Sequence, residues 1–267
     1  MKRCLSVFDA QAASLDFGSP SAAREINHWV SEKTNGKIGD IVTQDSVARS
    51  KMVLTNAVYF SSKWQAPFQS SATERASFHR QGGGVKTVSM MYKSRLSGAY
   101  RSGSTFEGAM LYYGNSGVYF YALLPRSGRT PNDVLASLDP AHLNKGSQGI
   151  DLELKLPRFT VDYSSNLGSC LEKMGMAIAF CFPAADFSPI GSRKFVIGEV
   201  IHKTRLEVDE NGTVAAAATA IGMRGGAAPG HREVPPLRTV VFNRPFVVLI
   251  GDSSTGALLF AGVIEEP

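Results

Sequence analysis

Apolar residues first recur at helical spacing in the segment that opens with Ser19 and Pro20. Ala22, Ala23, Ile26, Trp29 and Val30 share one face with the aliphatic stem of Lys33, which predicts an amphipathic helix over residues 20–34. Ser19 offers a cap, Pro20 suits the first turn, and Asn35-Gly36 ends the pattern. The period then shortens. Residues 52–60 are almost continuously apolar, which predicts a strand buried on both faces, and residues 118–124, stopped by Pro125, read the same way. Residues 150–156 alternate as a strand with one wet face. Two more apolar runs, 245–250 and 257–263, flank a turn at 252–256 and predict a hairpin. Residues 131–138 and 164–175 read as short helices, the second ending at Gly175. Strands outnumber helices and gather toward the C-terminal half, so the fold class expected is α+β with large mixed or antiparallel sheets. Neither an internal repeat nor an interdomain linker is visible.

One segment fits none of these periods. Glu210-Asn-Gly-Thr-Val-Ala-Ala-Ala-Ala-Thr-Ala220 follows the charged, strand-like Arg205-Leu-Glu-Val-Asp209 and leads into a Gly/Pro/Arg-rich stretch ending at Pro236. Ala favours helix, and a run of small residues also serves as a linker. Neither explains why such a run should directly continue a strand. An extended segment with small side chains can slip between two strands without steric penalty, and this reads as a switch. Gly212 permits a bend at its start. In an extended conformation Thr213, Ala215, Ala217, Thr219 and Ile221 share one small-to-medium face suited to a packed interior.

Composition narrows the function. The net charge is +5 with a pI near 9.1, but no dense Lys/Arg run exists, so a nucleic-acid partner is not expected. No segment reaches the roughly 18 apolar residues of a membrane span, and the basic N-terminus lacks the apolar run of a signal peptide. A soluble protein is expected, its compartment (extracellular space or cytoplasm) unassigned. Cys4, Cys170 and Cys181 have no metal-ligand spacing; the last two lie among apolar residues and read as buried free thiols. None of His28, His79, His142, His202 or His231 sits in a zinc-protease, nucleophile-elbow or phosphate-loop pattern. His202 reads as a hydrogen-bonded core histidine. Asp186 shows no acid/base pairing, and neither do Glu207, Asp209 and Glu210; Glu207 and Asp209 read as the solvated edge of a strand. No catalytic constellation emerges, no cofactor or metal is expected, and the protein is not expected to be an enzyme.

Ordered motifs then speak together. Ile26-Asn-His-Trp-Val30 with Thr34-Asn-Gly-Lys-Ile38, Leu54-Thr-Asn-Ala-Val-Tyr-Phe60 with Lys63-Trp64 and Pro67-Phe68, and Val88-Ser-Met-Met91 come first. Leu156-Pro-Arg-Phe159, Leu171-Glu-Lys-Met-Gly-Met176 with Ala179-Phe180, Ala185-Asp-Phe-Ser188, His202-Lys203, and Asn243-Arg-Pro-Phe246 with Leu259-Phe260 follow. In this order they resemble the serpins, the serine protease inhibitor family. The resemblance implies a single domain over residues 1–267, with a large mixed central sheet, two smaller sheets, surrounding helices and an exposed reactive-centre loop at about residues 210–240. It also implies that the helices and strand preceding Ser14-Leu-Asp-Phe17 in the family are largely missing, and with them the serine partners of His202.

The implied mechanism is a trap. A protease attacks a bait bond in the loop and becomes acylated, and the cut loop inserts as a strand before deacylation. Loop insertion in serpins is a general example of strand addition and of strain release. The implied hinge is Glu210, Gly212, Thr213, Val214, Ala215, Ala216, Ala217, Ala218 and Thr219, with Val214 standing where the family commonly has Glu. Loop length counted from Glu210 puts the bait at Gly226-Ala227. Arg224-Gly225 lies two residues earlier and carries the large charged side chain a trypsin-like protease reads, and we prefer Arg224 for recognition. Cleavage there shortens the tether by about 6–7 Å. An elastase-like protease fits Gly226-Ala227, and a cysteine protease is a further partner. Asn56 and His202 resemble the hydrogen-bonding pair where the sheet opens, and Trp64 the residue at its top. The alternative is a non-inhibitory serpin-fold binding protein or an inactive remnant. Either way a monomer is expected. Asn211-Gly-Thr213 is also a glycosylation sequon.

Overall fold

The computed structural model describes residues 10–139, 150–190, 194–213 and 235–267. Strands and helices are numbered in chain order. The chain divides into two compact units, one made of Met1–Tyr59 and Asp162–Leu206, the other of Phe60–Val161 and Glu207–Pro267.

In the first unit α1 (Ser21–Lys33) buries Ala22, Ala23 and Val30 against Ile38, Ile41, Val42 and Val47. Asn27 on the same helix fixes the following loop. Its Oδ1 accepts from the backbone N–H groups of Ile41 (2.9 Å) and Val42 (3.0 Å), and its Nδ2 donates to the Val42 carbonyl (2.9 Å). Asn35 at φ 52° and Gly36 at φ 74° end the helix where the sequence puts its stop. A capping box between Thr43 and Ser46 starts α2 (Gln44–Ala48). Beside this layer runs β1 (Val53–Tyr59), which pairs in parallel with β10 (Glu199–Val208), and Val53, Ala57, Tyr59 and Ile201 pack on the helical core.

The second unit is a pair of sheets. A mixed four-stranded sheet has the order β12 (Leu237–Val241), β8 (Asp151–Pro157), β4 (Val85–Ser97), β3 (Glu74–His79). An antiparallel five-stranded sheet has the order β14 (Leu258–Ile264), β13 (Phe246–Asp252), β7 (Val118–Pro125), β6 (Phe106–Tyr112), β5 (Tyr100–Ser102). Tyr121, Leu123, Val247 and Leu249 are fully buried between β7, β13 and Val134 of α3 (Pro131–Ala136). A two-stranded ribbon joins β2 (Ser62–Lys63) to β11 (Gly212–Thr213). The remaining strand, β9 (Phe159–Asn166), lies beside β10 in a three-stranded sheet of order β1-β10-β9.

Three expectations need correction. The strand at 52–60 is not buried on both faces. Leu54 is 39% exposed and Asn56 is exposed, so only alternate side chains meet the helical layer, as in any strand covered on one side. Residues 164–175 are not one helix. β9 continues to Asn166, whose Oδ1 accepts from Gly168 N–H (2.9 Å) and caps the one-turn α4 (Gly168–Leu171); a π turn at Glu172–Met176 then holds Gly175 at φ 100°, beyond right-handed helix. Cys170 and Cys181 are exposed. Their apolar neighbours Met174, Ile178 and Phe182 are 74%, 65% and 66% exposed, so the residues that argue for burial themselves face outward.

Candidate functional site

The seam between β1 and β10 begins with its backbone. Register runs from Val53 opposite Glu199 to Tyr59 opposite Arg205, with Asn56 directly opposite His202. The Asn56 Oδ1 and His202 Nδ1 are 2.9 Å apart, and His202 Nε2 lies 2.9 Å from Thr204 Oγ1. An amide oxygen only accepts, so Nδ1 carries the proton and donates to Asn56, while Nε2 accepts from the Thr204 hydroxyl. Both ring nitrogens are thereby hydrogen-bonded. Among the described residues Asn56 and Thr204 supply the side-chain bonds to His202. β10 is tied further by Arg205, which reaches Asp162 of β9 at 2.9 Å, and by Lys203, whose ammonium donates to the Asp40 carbonyl at 2.7 Å. The exposed strand face therefore carries a side-chain clasp over a parallel ladder.

Residues 209–213, where the expected hinge begins, belong to the second unit. Asp209 closes a tight turn: its carboxylate accepts from the N–H groups of Asn211 (2.8 Å) and Gly212 (3.1 Å), and its own N–H donates to the Gly212 carbonyl (2.8 Å). Asp209 thus caps a turn rather than forming the solvated strand edge expected of it. Three successive carbonyls are then held by one segment. Trp64 Nε1 donates to Asp209 O (2.8 Å), Phe68 N–H to Glu210 O (2.8 Å), and Trp64 N–H to Asn211 O (2.9 Å). Gly212 has φ +149°, and a Cβ there would lie 2.2 Å from Ser62 O and 2.7 Å from Lys63 Cα. Only glycine fits.

Side chains complete the clamp. The Glu210 carboxylate is 3% exposed and takes the Thr73 hydroxyl at 2.6 Å and Arg158 Nη2 at 2.6 and 2.7 Å. Burial alone would push its pKa up; the Thr73 hydroxyl, the backbone and Arg158 outweigh that and hold it below the usual glutamate value. Thr213, fully buried, shares a 2.7 Å hydrogen bond with the Tyr113 hydroxyl. Tyr113 stacks on Trp64 with ring centroids 4.4 Å apart, and burial drives its pKa well above the tyrosine norm. Trp64, also edge-on to Phe68 and Phe120, is therefore the floor of the hinge.

The structure brings together Trp64, Glu210, Gly212 and Thr213, and separately Asn56 and His202. Val214, Ala215, Ala216, Ala217, Ala218 and Thr219, and both bait bonds, Arg224-Gly225 and Gly226-Ala227, lie outside the described residues. Sequence reasoning assigned no role to Thr73, Tyr113 or Arg158. Arg158 sits inside the quoted Leu156-Pro-Arg-Phe159 motif, but Thr73 is 137 positions from Glu210 and carries no sequence signal. Among the described residues no group of three or more His, Cys, Asp or Glu could hold a metal, and no helix is long and apolar enough to cross a membrane.

The sheets and short helices described above define an α+β protein. The family model described as serpin (serine protease inhibitor) matches residues 1–267. An uncharacterized serpin-like protein of Thermococcus kodakarensis is 35% identical over 262 residues, 96% of this chain and 60% of that protein. An alpha-1-antitrypsin homolog of Cyprinus carpio is 33% identical over 97% of this chain and 68% of its own length. The crystal structure of Serpin48, described as a highly specific serpin of the insect Tenebrio molitor, superposes with TM-score 0.84 at 26% identity, covering 100% of this chain and 70% of that one. The chain belongs to the serpin family. It spans 60–68% of the length of these curated relatives.

Proposed function

We propose that the chain inhibits a serine-type endopeptidase as a suicide substrate. The protease serine hydroxyl attacks the carbonyl of Arg224 or Gly226, the peptide bond to Gly225 or Ala227 breaks, and the new amine departs. The protease remains joined to the loop as an ester. The cut loop then inserts as a strand between β1 and β10.

The observation that carries this reading is the parallel pairing of β1 with β10, unbroken from Val53 to Tyr59. A chain that leaves the end of β10 and turns back at Gly212 runs antiparallel to β10, and so antiparallel to β1 as well. Insertion exchanges one parallel interface for two antiparallel ones, the more stable pairing. Matching the seven residues of β1 adds about one net hydrogen bond per residue, on the order of 5–10 kcal/mol in all. Residues 215–219 contain no bulky, charged or proline side chain to resist entry. The clasp from Asn56 to His202 is the local barrier.

The test is incubation of the purified chain with trypsin and, separately, elastase, followed by SDS electrophoresis and sequencing of the cut. A complex that survives SDS, with cleavage at Arg224-Gly225 or Gly226-Ala227, supports inhibition. Loop cleavage by both enzymes without a complex refutes it and leaves a non-inhibitory member of the family.

A further inference from the structure

A cleft of about 180 Å³ lies in the second unit, remote in sequence from residues 210–213. Three prolines, Pro125, Pro131 and Pro245, line it together with Gln81, Thr130, Arg129 and Arg244. Its shape is held by backbone. The turn after β7 closes through Arg126 N–H on Thr105 O (2.8 Å) and Arg129 N–H on Arg126 O (2.9 Å). His79 N–H donates to Asn243 O (2.7 Å), which fixes the chain entering β13. Arg244 is aimed by one bond, from Nη2 to the Pro125 carbonyl at 2.8 Å, which leaves the other nitrogens of the fork uncommitted to that carbonyl.

The nearby acid does not cancel this charge. Asp133 caps α3: one carboxylate oxygen takes the Thr130 N–H (2.7 Å) and hydroxyl (2.9 Å). The Thr130 backbone bond, then its hydroxyl, with a smaller pull from Arg129, hold the Asp133 pKa below the ordinary range, so its charge is permanent at neutral pH and is directed into the cap. Two arginines against one engaged carboxylate leave the cleft positive.

We propose that this cleft binds a small carboxylate carried on a flat apolar body. A planar carboxylate matches the guanidinium fork, whereas the lining prolines give nothing to a bare inorganic anion and stack well on a ring. The volume is below the roughly 300–1,000 Å³ of sites for drug-sized ligands, so the occupant is one ring and its carboxylate or the end of a longer molecule.

The test uses the whole chain and three probes: phenylacetate, its neutral amide, and inorganic phosphate, titrated against ¹⁵N-labelled protein by NMR. Phenylacetate is expected to bind in the millimolar range, shifting the amides of Arg129, Thr130 and Arg244. The amide is expected to leave them unmoved and phosphate to bind at least several-fold more weakly. Arg129, an exposed side chain, is replaced first: Arg129→Met should weaken phenylacetate about tenfold with no change in melting temperature, and Arg129→Lys should recover only part of the loss. Equal binding of the amide, undiminished binding by Arg129→Met, phosphate binding as tight as phenylacetate, or shifts elsewhere on the protein would each overturn the assignment.

Discussion

Replacing Arg158 by methionine tests the hinge clamp most directly. Glu210 is 3% exposed on its side chain, while Arg158 is 52% exposed, so the partners are unequal. Removing the guanidinium leaves an ionised carboxylate out of water with only the Thr73 hydroxyl and a backbone N–H to hold it. Breaking a fully buried pair costs about 3–5 kcal/mol, and a fully exposed pair is worth about 0–1. A pair with one buried member and one half in water falls between, at about 2 kcal/mol. Glu210→Gln should cost less, about 1 kcal/mol, because the amide oxygen still accepts from Thr73 and Arg158. The double variant Arg158→Met, Glu210→Met should cost less than the sum of the corresponding single changes, with a coupling of about 1–2 kcal/mol. Urea unfolding followed by tryptophan fluorescence reads this locally. The chain has two tryptophans, so in a Trp29→Phe background the signal is that of Trp64, whose indole N–H is bonded to the Asp209 carbonyl beside Glu210. Additive single and double variants, or a cost for Arg158→Met below about 0.5 kcal/mol, would refute the claim that the pair anchors the hinge.

Gly212→Ala should destabilise the chain by about 2–4 kcal/mol in the same assay, since both the positive φ and the clash with Ser62 and Lys63 are backbone problems that no rotamer relieves. A cost below about 0.5 kcal/mol would show that the turn relaxes freely. Thr213→Val strands the buried Tyr113 hydroxyl and should cost about 1–3 kcal/mol, with part of the loss restored by adding Tyr113→Phe; no restoration would mean packing rather than the hydrogen bond is at stake. Because the folded-state pKa of Glu210 lies below its reference value of 4.5, its contribution is complete above about pH 4.5 and is lost as pH falls through the lower, folded value. The stability gap between wild type and Glu210→Gln should therefore close in acid, and a gap that persists to pH 2 argues against the ionised clamp.

How much of this was legible in the chain depended on the distance over which each signal acts. The first helix was read nearly to the residue because its period, its stop at Asn35-Gly36 and its buried face are all local. β7, β8, β13 and β14 were legible for the same reason: each is an uninterrupted apolar or alternating run. β4 was not predicted, since Lys86, Thr87, Ser89 and Lys93 break its pattern and its structure is settled by pairing with β3 and β8. Composition marks residues 210–220 as a segment apart, but nothing in it signals what holds residues 210–213. Thr73, Tyr113 and Arg158 reach residues 210–213 across 52 to 137 positions, a distance over which no local pattern signals a contact. The two thiols failed for the opposite reason, because apolar neighbours imply burial only if they are themselves covered.

On the insertion proposed, these contacts would divide residues 209–213 into a held part and a part to be exchanged. The carbonyls of Asp209, Glu210 and Asn211 are each engaged by Trp64 or Phe68, and the Glu210 side chain is anchored twice over. A strand that inserts by reversing direction needs such a fulcrum, since a pivot that slid would waste register with every residue gained. Thr213 is different: its backbone pairs with Ser62 and its side chain makes a single hydrogen bond, to another hydroxyl. Moving it costs one neutral bond, about 1 kcal/mol net, whereas moving Glu210 costs a buried charge. On the insertion proposed, the boundary between pivot and travelling strand therefore falls between Gly212 and Thr213. Thr213→Val would then lower the barrier to exchange as well as the stability of the native form, and Arg158→Met would loosen the pivot itself. The two variants should separate in the protease assay. The first should keep or quicken complex formation, and the second should shift the outcome toward cleaved, uncomplexed chain. If both behave alike, the pivot lies elsewhere.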